Sequence, residues 1–204
     1  MDAVTTLPQG YSLYDRIDLQ TDKQTSFKVN TWAVVGLVAM VLLGHFAFVP
    51  ITSVAWLDFV PMMLRLAVMF VGYIAYIVLH ELTHAAAMKL FKASEIRFGF
   101  TGLYAYAGSE RDYFGKAPYR VIALAPLFVW TLLLTVPLIL LPADWFWTVY
   151  FIQCGNIAGC VGDIYVTVRL WKAPGDILVR DTGVEMFVYS RQGNSGYVNK
   201  KFIR

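Results

Sequence analysis

From Leu66 to Phe91 the sequence stays apolar for long enough to cross a bilayer, yet His80, Glu81 and His84 sit inside that run. About twenty apolar residues in a helix span the hydrocarbon core. A charged side chain at mid-helix costs on the order of 2.5–3.5 kcal/mol on insertion scales, so three ionisable groups packed this closely need a partner. A divalent cation suits all three. On a helix, positions 80 and 84 lie about one turn apart on one face. Two imidazole nitrogens at that spacing can each reach a Zn²⁺ ion at roughly 2.0–2.1 Å. Glu81 directly follows the first of them, where its carboxylate can take a proton from an attacking water. The competing reading is a polar helix end whose neutral histidines hydrogen-bond to their neighbours.

Composition fits a membrane protein. Of 204 residues, 58% are hydrophobic and 15% charged, against about 25% charged in an average soluble chain. The net charge of +3 is too small to suggest nucleic acid. The sequence predicts an all-α integral membrane protein forming one domain over 1–204. Its expected parts are a cytosolic or interfacial arm at 1–30, spanning helices at 32–49, 62–89, 121–141 and 145–170, and a cytosolic tail at 171–204. Without a signal-peptide pattern in the arm, the first helix is expected to act as an uncleaved anchor. Pro126 and Pro137 fall inside the third helix, where neighbouring groups can satisfy the freed backbone. Cys154 and Cys160 read as buried thiols, poorly placed to bridge each other.

The connection 90–118 contains an alternating stretch, Ile96-Arg97-Phe98-Gly99-Phe100, then a Thr101-Gly102 turn and Leu103-Tyr104-Ala105-Tyr106. It reads as a strand-like loop. Phe98, Gly99 and Phe100 are candidates for holding an extended substrate by strand addition. Glu110-Arg111-Asp112 reads as a solvated charge cluster. In the tail, Ile177 to Tyr189 around Asp181-Thr182-Gly183 reads as a cytosolic hairpin.

Charge sets the expected orientation. Sixteen of the seventeen Lys and Arg fall in the arm, the long connection and the tail, and Arg65 alone on the other side. The positive-inside rule places both termini of this multi-pass chain in the cytoplasm. At ~1.5 Å per helical residue, His84 lies ~8 Å below the level of Lys89, and Asp163 ~9 Å below that of Arg169. Zinc held by two histidines commonly takes a carboxylate as third protein ligand and leaves one position for water. Asp163 offers that chemistry at that depth, and Cys160, ~4–5 Å deeper, ranks second. His45 lies ~20 Å down, too deep to share the site. Glu95, Glu110 and Asp112 are not placed by the pattern. Asn156 shares a face with Asp163 and can hydrogen-bond substrate or a developing oxyanion, or serve an interhelical bond instead. Gly155, Gly159 and Gly162 form a smooth stripe that lets another helix approach.

These motifs together resemble the site-2 protease class of intramembrane metalloproteases. More closely, the chain is similar to a bacterial family of small four-helix membrane proteins named as zincin peptidases. The residues carrying the likeness are His80-Glu81-Leu82-Thr83-His84-Ala85, Phe98-Gly99-Phe100, Ala125-Pro126, Gly155-Asn156, Gly162-Asp163 and Arg180-Asp181-Thr182-Gly183. The resemblance implies His80, His84 and Asp163 as zinc ligands and Glu81 as catalytic base. Two features depart from the broader class: no proline follows Asn156, and Ile164 rather than Gly follows Asp163.

The function expected is zinc-dependent hydrolysis of peptide bonds in membrane-spanning or membrane-adjacent substrates, with membrane lipids as surround. The alternatives are a non-catalytic membrane protein with a structural or sensing zinc site, which a Cys160 ligand would favour, and a zinc hydrolase of a membrane lipid amide.

Overall fold

The computed structural model describes residues 2–56, 58–102 and 104–192. In chain order its main elements are β1 (Ser12–Asp18), α1 (Lys23–Leu43), α2 (Phe59–Leu90), β2 (Arg97–Phe100), β3 (Ala105–Gly108), β4 (Phe114–Gly115), α3 (Lys116–Leu140), α4 (Phe146–Gly159), α5 (Val161–Trp171), β5 (Leu178–Asp181) and β6 (Glu185–Ser190). Four helical stretches, Lys23–Phe48, Phe59–Leu90, Lys116–Leu140 and Ala143–Trp171, are long and apolar enough to cross a membrane. In the most apolar window of each of the first two, only 6% of residues are buried within the protein. Trp32, Phe70, Leu132 and Ile139 are all exposed, which is consistent with membrane localisation.

Three expectations are corrected. The chain is not all-α: β1, β6, β5 and β4 form an antiparallel sheet in that order. The 1–30 arm therefore supplies a strand, and α1 begins before Trp32. Asp22 explains that early start, since its carboxylate accepts the Gln24 N–H at 3.2 Å and the Thr25 hydroxyl at 2.9 Å as an N-cap. Second, the expected fourth helix is two, α4 and α5, joined at Cys160. Third, Asp112 is not solvated but fully buried. The basic end of the tail, 193–204, lies outside the described residues.

The chain divides into two compact units, one made of residues 1–27, 81–125 and 162–204, the other of 28–80 and 126–161. In the first, the sheet packs on helical segments around Ile17, Met88, Phe114, Tyr119, Ile122, Val166, Leu170, Ile177, Val179 and Val188. Asp15 on β1 makes a two-pronged pair with Arg169 on α5, both contacts at 2.7 Å, the geometry that best fixes a guanidinium on a carboxylate. This ties α5, which carries Asp163 in its first turn, to the sheet. In the second unit, Trp147, Tyr150 and Cys154 on α4 form a core with Met40, Val41, Val54 and Leu138. A Cβ at Gly155 would lie 2.3 Å from the Tyr73 ring, so α2 and α4 cross there because the glycine has no side chain. His45 is a packed residue, its Nδ1 accepting the Ile51 N–H at 2.9 Å.

Helix α2 ends in a Schellman motif. The Ala93 N–H reaches the Met88 carbonyl at 3.0 Å and the Lys92 N–H reaches that of Lys89 at 2.9 Å. Lys92 takes the left-handed conformation, φ 63°, which costs a residue with a Cβ about 1–2 kcal/mol. Its side chain pairs with Asp2 at the surface, where solvent screens the pair. Lys92→Gly is therefore expected to stabilise the protein by up to about 1 kcal/mol, read as a rise in the denaturation midpoint.

Asp112 organises the connection between α2 and α3. Its carboxylate accepts the Ser94 N–H at 2.9 Å, the Ser94 hydroxyl at 2.9 Å, the Glu95 N–H at 3.2 Å and the Ser109 hydroxyl at 2.6 Å. Burial pushes its pKa up, but these donors outweigh it and hold the carboxyl below its ordinary value. The sign follows from linkage. A folded-state pKa below the unfolded one contributes stability that is present above the unfolded value near 3.8 and is lost as pH falls through the folded value. Asp112→Asn is expected to flatten the acid limb of the stability profile below about pH 4, measured by denaturant titration at stepped pH.

Candidate active site

The motif residues face different partners, and each partner fixes an atom. In the second unit, His80 is buried, and its Nδ1 meets the Tyr76 hydroxyl at 2.9 Å. That hydroxyl donates to Asn156 Oδ1 at 3.0 Å. Asn156 is itself fully buried, with Nδ2 donating to Thr131 Oγ1 at 3.1 Å and the Cys160 thiol directed at its Oδ1 from 3.6 Å. His80 and Cys160 offer ligand atoms within 4.8 Å of each other.

In the first unit, His84 Nδ1 donates to the Ile122 carbonyl at 2.9 Å. A carbonyl only accepts, so Nδ1 carries the proton. Nε2 lies 3.6 Å from Asp163 Oδ1. Two ligands of one tetrahedral zinc, each at roughly 2.0–2.1 Å from it, stand about 3.3–3.4 Å apart. The spacing of His84 and Asp163 is near that value. Asp163 sits in the first turn of α5, where a helix favours negative charge.

Glu81 takes its partner from the β2–β3 hairpin: the Ala107 N–H donates to its carboxylate. The ladder pairs Phe98 with Ala107 and Phe100 with Ala105. An N–H at 107 that leaves the hairpin makes 98/107 a non-hydrogen-bonded pair, and the alternation makes 100/105 another. The bond from Thr101 N–H to the Tyr104 carbonyl, 2.9 Å, has the matching parity. The edge of β3 carrying the 105 and 107 amides is thus the one turned to Glu81. Phe98 and Phe100, on β2, are exposed. Gly99 lies under the Tyr106 ring, where a Cβ would come within 2.3 Å of it.

The hairpin is also held by the β5–β6 turn. The Ser109 N–H donates to the Asp181 carbonyl at 2.6 Å. Gly183, at φ 84°, also sits under Tyr106. The Asp181 carboxylate is buried and accepts the Tyr119 hydroxyl at 2.5 Å and the Gly183 N–H at 2.7 Å. Burial pushes its pKa above the ordinary value in spite of those donors. Glu95 and Glu110 engage Arg97 instead.

Tyr76 belongs to none of the sequence motifs, and Asp181 enters only as part of one. The signal for Tyr76 was its position one helical turn before His80. Asp181 carried none, because the loop it braces lies far away along the chain.

The model of the family described as "Putative zincin peptidase" matches residues 73–178, about half the chain. The chain belongs to this family. The matched segment holds the α2 motif, the hairpin and Asp163, which are the parts whose geometry is described above. None of the curated proteins and none of the solved structures matches this family member.

Proposed function

We propose that this protein is a zinc-dependent intramembrane peptidase in which His80, His84 and Asp163 hold the metal and Glu81 is the general base. The observation that carries the reading is His84 Nε2 standing 3.6 Å from the Asp163 carboxylate, with Nδ1 turned away to the Ile122 carbonyl. Two neutral imidazoles and a carboxylate are the donor set of an open catalytic zinc site. His80 joins His84 because the unbroken helix α2 carries both one turn apart.

Bound there, zinc would polarise the scissile carbonyl and make its water acidic enough to ionise near pH 7. The chain's own groups do the rest. Glu81 receives the proton from the attacking water at its carboxylate and delivers it to the leaving amine. The Ala107 N–H keeps that carboxylate in place. An extended peptide would lie alongside Glu81 at the β2–β3 hairpin, held by Phe98, Gly99 and Phe100. Asn156 would act on His80 through Tyr76. Sixteen cationic residues on one side support a cytosolic face for the site.

The His80–Cys160 approach favours a second reading, a closed structural or sensing zinc site. The test is hydrolysis of single-span peptides carrying a quenched fluorophore, in liposomes containing the purified protein and zinc. The proposal expects cleavage that a chelator abolishes and zinc restores. Zinc-loaded protein that cleaves none of them, while Cys160→Ala releases the metal, would establish the closed site instead.

A further inference from the structure

We propose that Tyr76 and Pro126 are positioning residues that lock the two histidines in the same tautomer, Nδ1–H, so that each presents the Nε2 lone pair. The inference rests on the zinc reading above and adds the groups that prepare its ligands.

For His80 one proton decides the tautomer. The Asn156 amide nitrogen faces the acceptors Thr131 Oγ1 and Gln153 Oε1, at 3.1 and 3.5 Å. Its oxygen therefore faces the Tyr76 hydroxyl and the Cys160 thiol. A phenol has one proton to give, and it goes to Asn156. The Tyr76 oxygen is left as the acceptor toward His80 Nδ1, so that nitrogen must carry the hydrogen. Tyr76 is buried, and the ring of Trp130 stands edge-on to it at 5.8 Å, which keeps the phenol in place.

For His84 the acceptor is made by an absence. In a helix the N–H of residue 126 would bond the carbonyl of residue 122. Residue 126 is proline, inside α3, and has no N–H. The Ile122 carbonyl is thereby left open, and it is the atom that takes the His84 Nδ1 proton at 2.9 Å. Freed carbonyls behind a helical proline are commonly met by a neighbouring group, and here the neighbour is the metal motif.

The two residues make opposite predictions about stability. Tyr76→Phe removes a hydroxyl from a buried network, and zinc affinity is expected to fall about 10–100-fold, as when a ligand's supporting hydrogen bond is lost. Pro126→Ala restores an N–H that competes for the Ile122 carbonyl. It should raise the thermal midpoint while weakening zinc binding several-fold. A proline serving only to kink the helix would change stability and leave the metal alone.

The experiment uses full-length protein in lipid nanodiscs with ¹⁵N-labelled histidine. The metal-free wild type is expected to show Nδ1–H signals for both His80 and His84, with Tyr76→Phe shifting the first and Pro126→Ala the second. Zinc affinity is read in parallel by competition with a chelator dye. Either variant that keeps both the wild-type histidine signals and the wild-type zinc affinity removes its residue from the proposal. Wild-type protein that takes up no zinc overturns the zinc reading instead, and the metal-free spectra still decide the tautomers.

Discussion

Glu81→Gln is expected to keep zinc bound and to lower peptide hydrolysis by roughly 10²–10⁴-fold, the usual contribution of a positioned acid–base group. The side chains are nearly the same size, and a glutamine oxygen can still accept the Ala107 N–H that holds Glu81. Geometry is therefore kept while the capacity to take a proton is removed. Metal content should not change, since residue 81 is not among the proposed ligands. Hydrolysis within tenfold of wild type would assign the base elsewhere. A parallel loss of zinc would make Glu81 a ligand.

The second large effect is expected at Gly108. A Cβ there would lie 2.3 Å from Gly183 N and 2.4 Å from Thr182 C. Both are backbone atoms and cannot rotate aside, so Gly108→Ala must push the hairpin off the β5–β6 turn. The bond from the Ser109 N–H to the Asp181 carbonyl goes with it. Overpacking of this kind costs about 1–3 kcal/mol, measured by denaturant titration. Hydrolysis should fall further than stability alone explains, because Ala107 moves away from Glu81. The control is Gly102→Ala, at φ 90° with nothing within 4 Å of an added Cβ, where only the backbone strain is felt. Equal effects of the two variants on hydrolysis would refute the clamp.

The four helical stretches long and apolar enough to cross a membrane were legible because length and apolarity decide them locally. The β5–β6 hairpin was legible as well, but the strands that complete the first unit's sheet were not. β1 pairs with β6, so Ser12 meets Ser190 across most of the chain, and no local pattern carries such a partner. Only Ile17 of β1 is buried, which leaves the alternation faint. Asp112 misled for a related reason: its neighbours Glu110 and Arg111 are charged and exposed, while the donors that bury it come from Ser94, Glu95 and Ser109. The break at Cys160 was hidden because the glycines around it read as a packing stripe. At the site, the His80–His84 spacing was readable, since helix geometry converts sequence to height. The Asp181 brace and the freed Ile122 carbonyl depend on packing between distant segments. Pro126 was visible, but not the carbonyl it leaves open.

The most direct test of the central claim is the zinc content of protein purified in a lipid environment, compared among wild type, His80→Ala, His84→Ala, Asp163→Ala, Cys160→Ala and Glu81→Gln. The account predicts about one zinc per chain in wild type, Cys160→Ala and Glu81→Gln, and little in the other three, as three protein ligands and an open position require. Zinc retained without Asp163 but lost without Cys160, or no zinc in wild type after exposure to the metal, would contradict it.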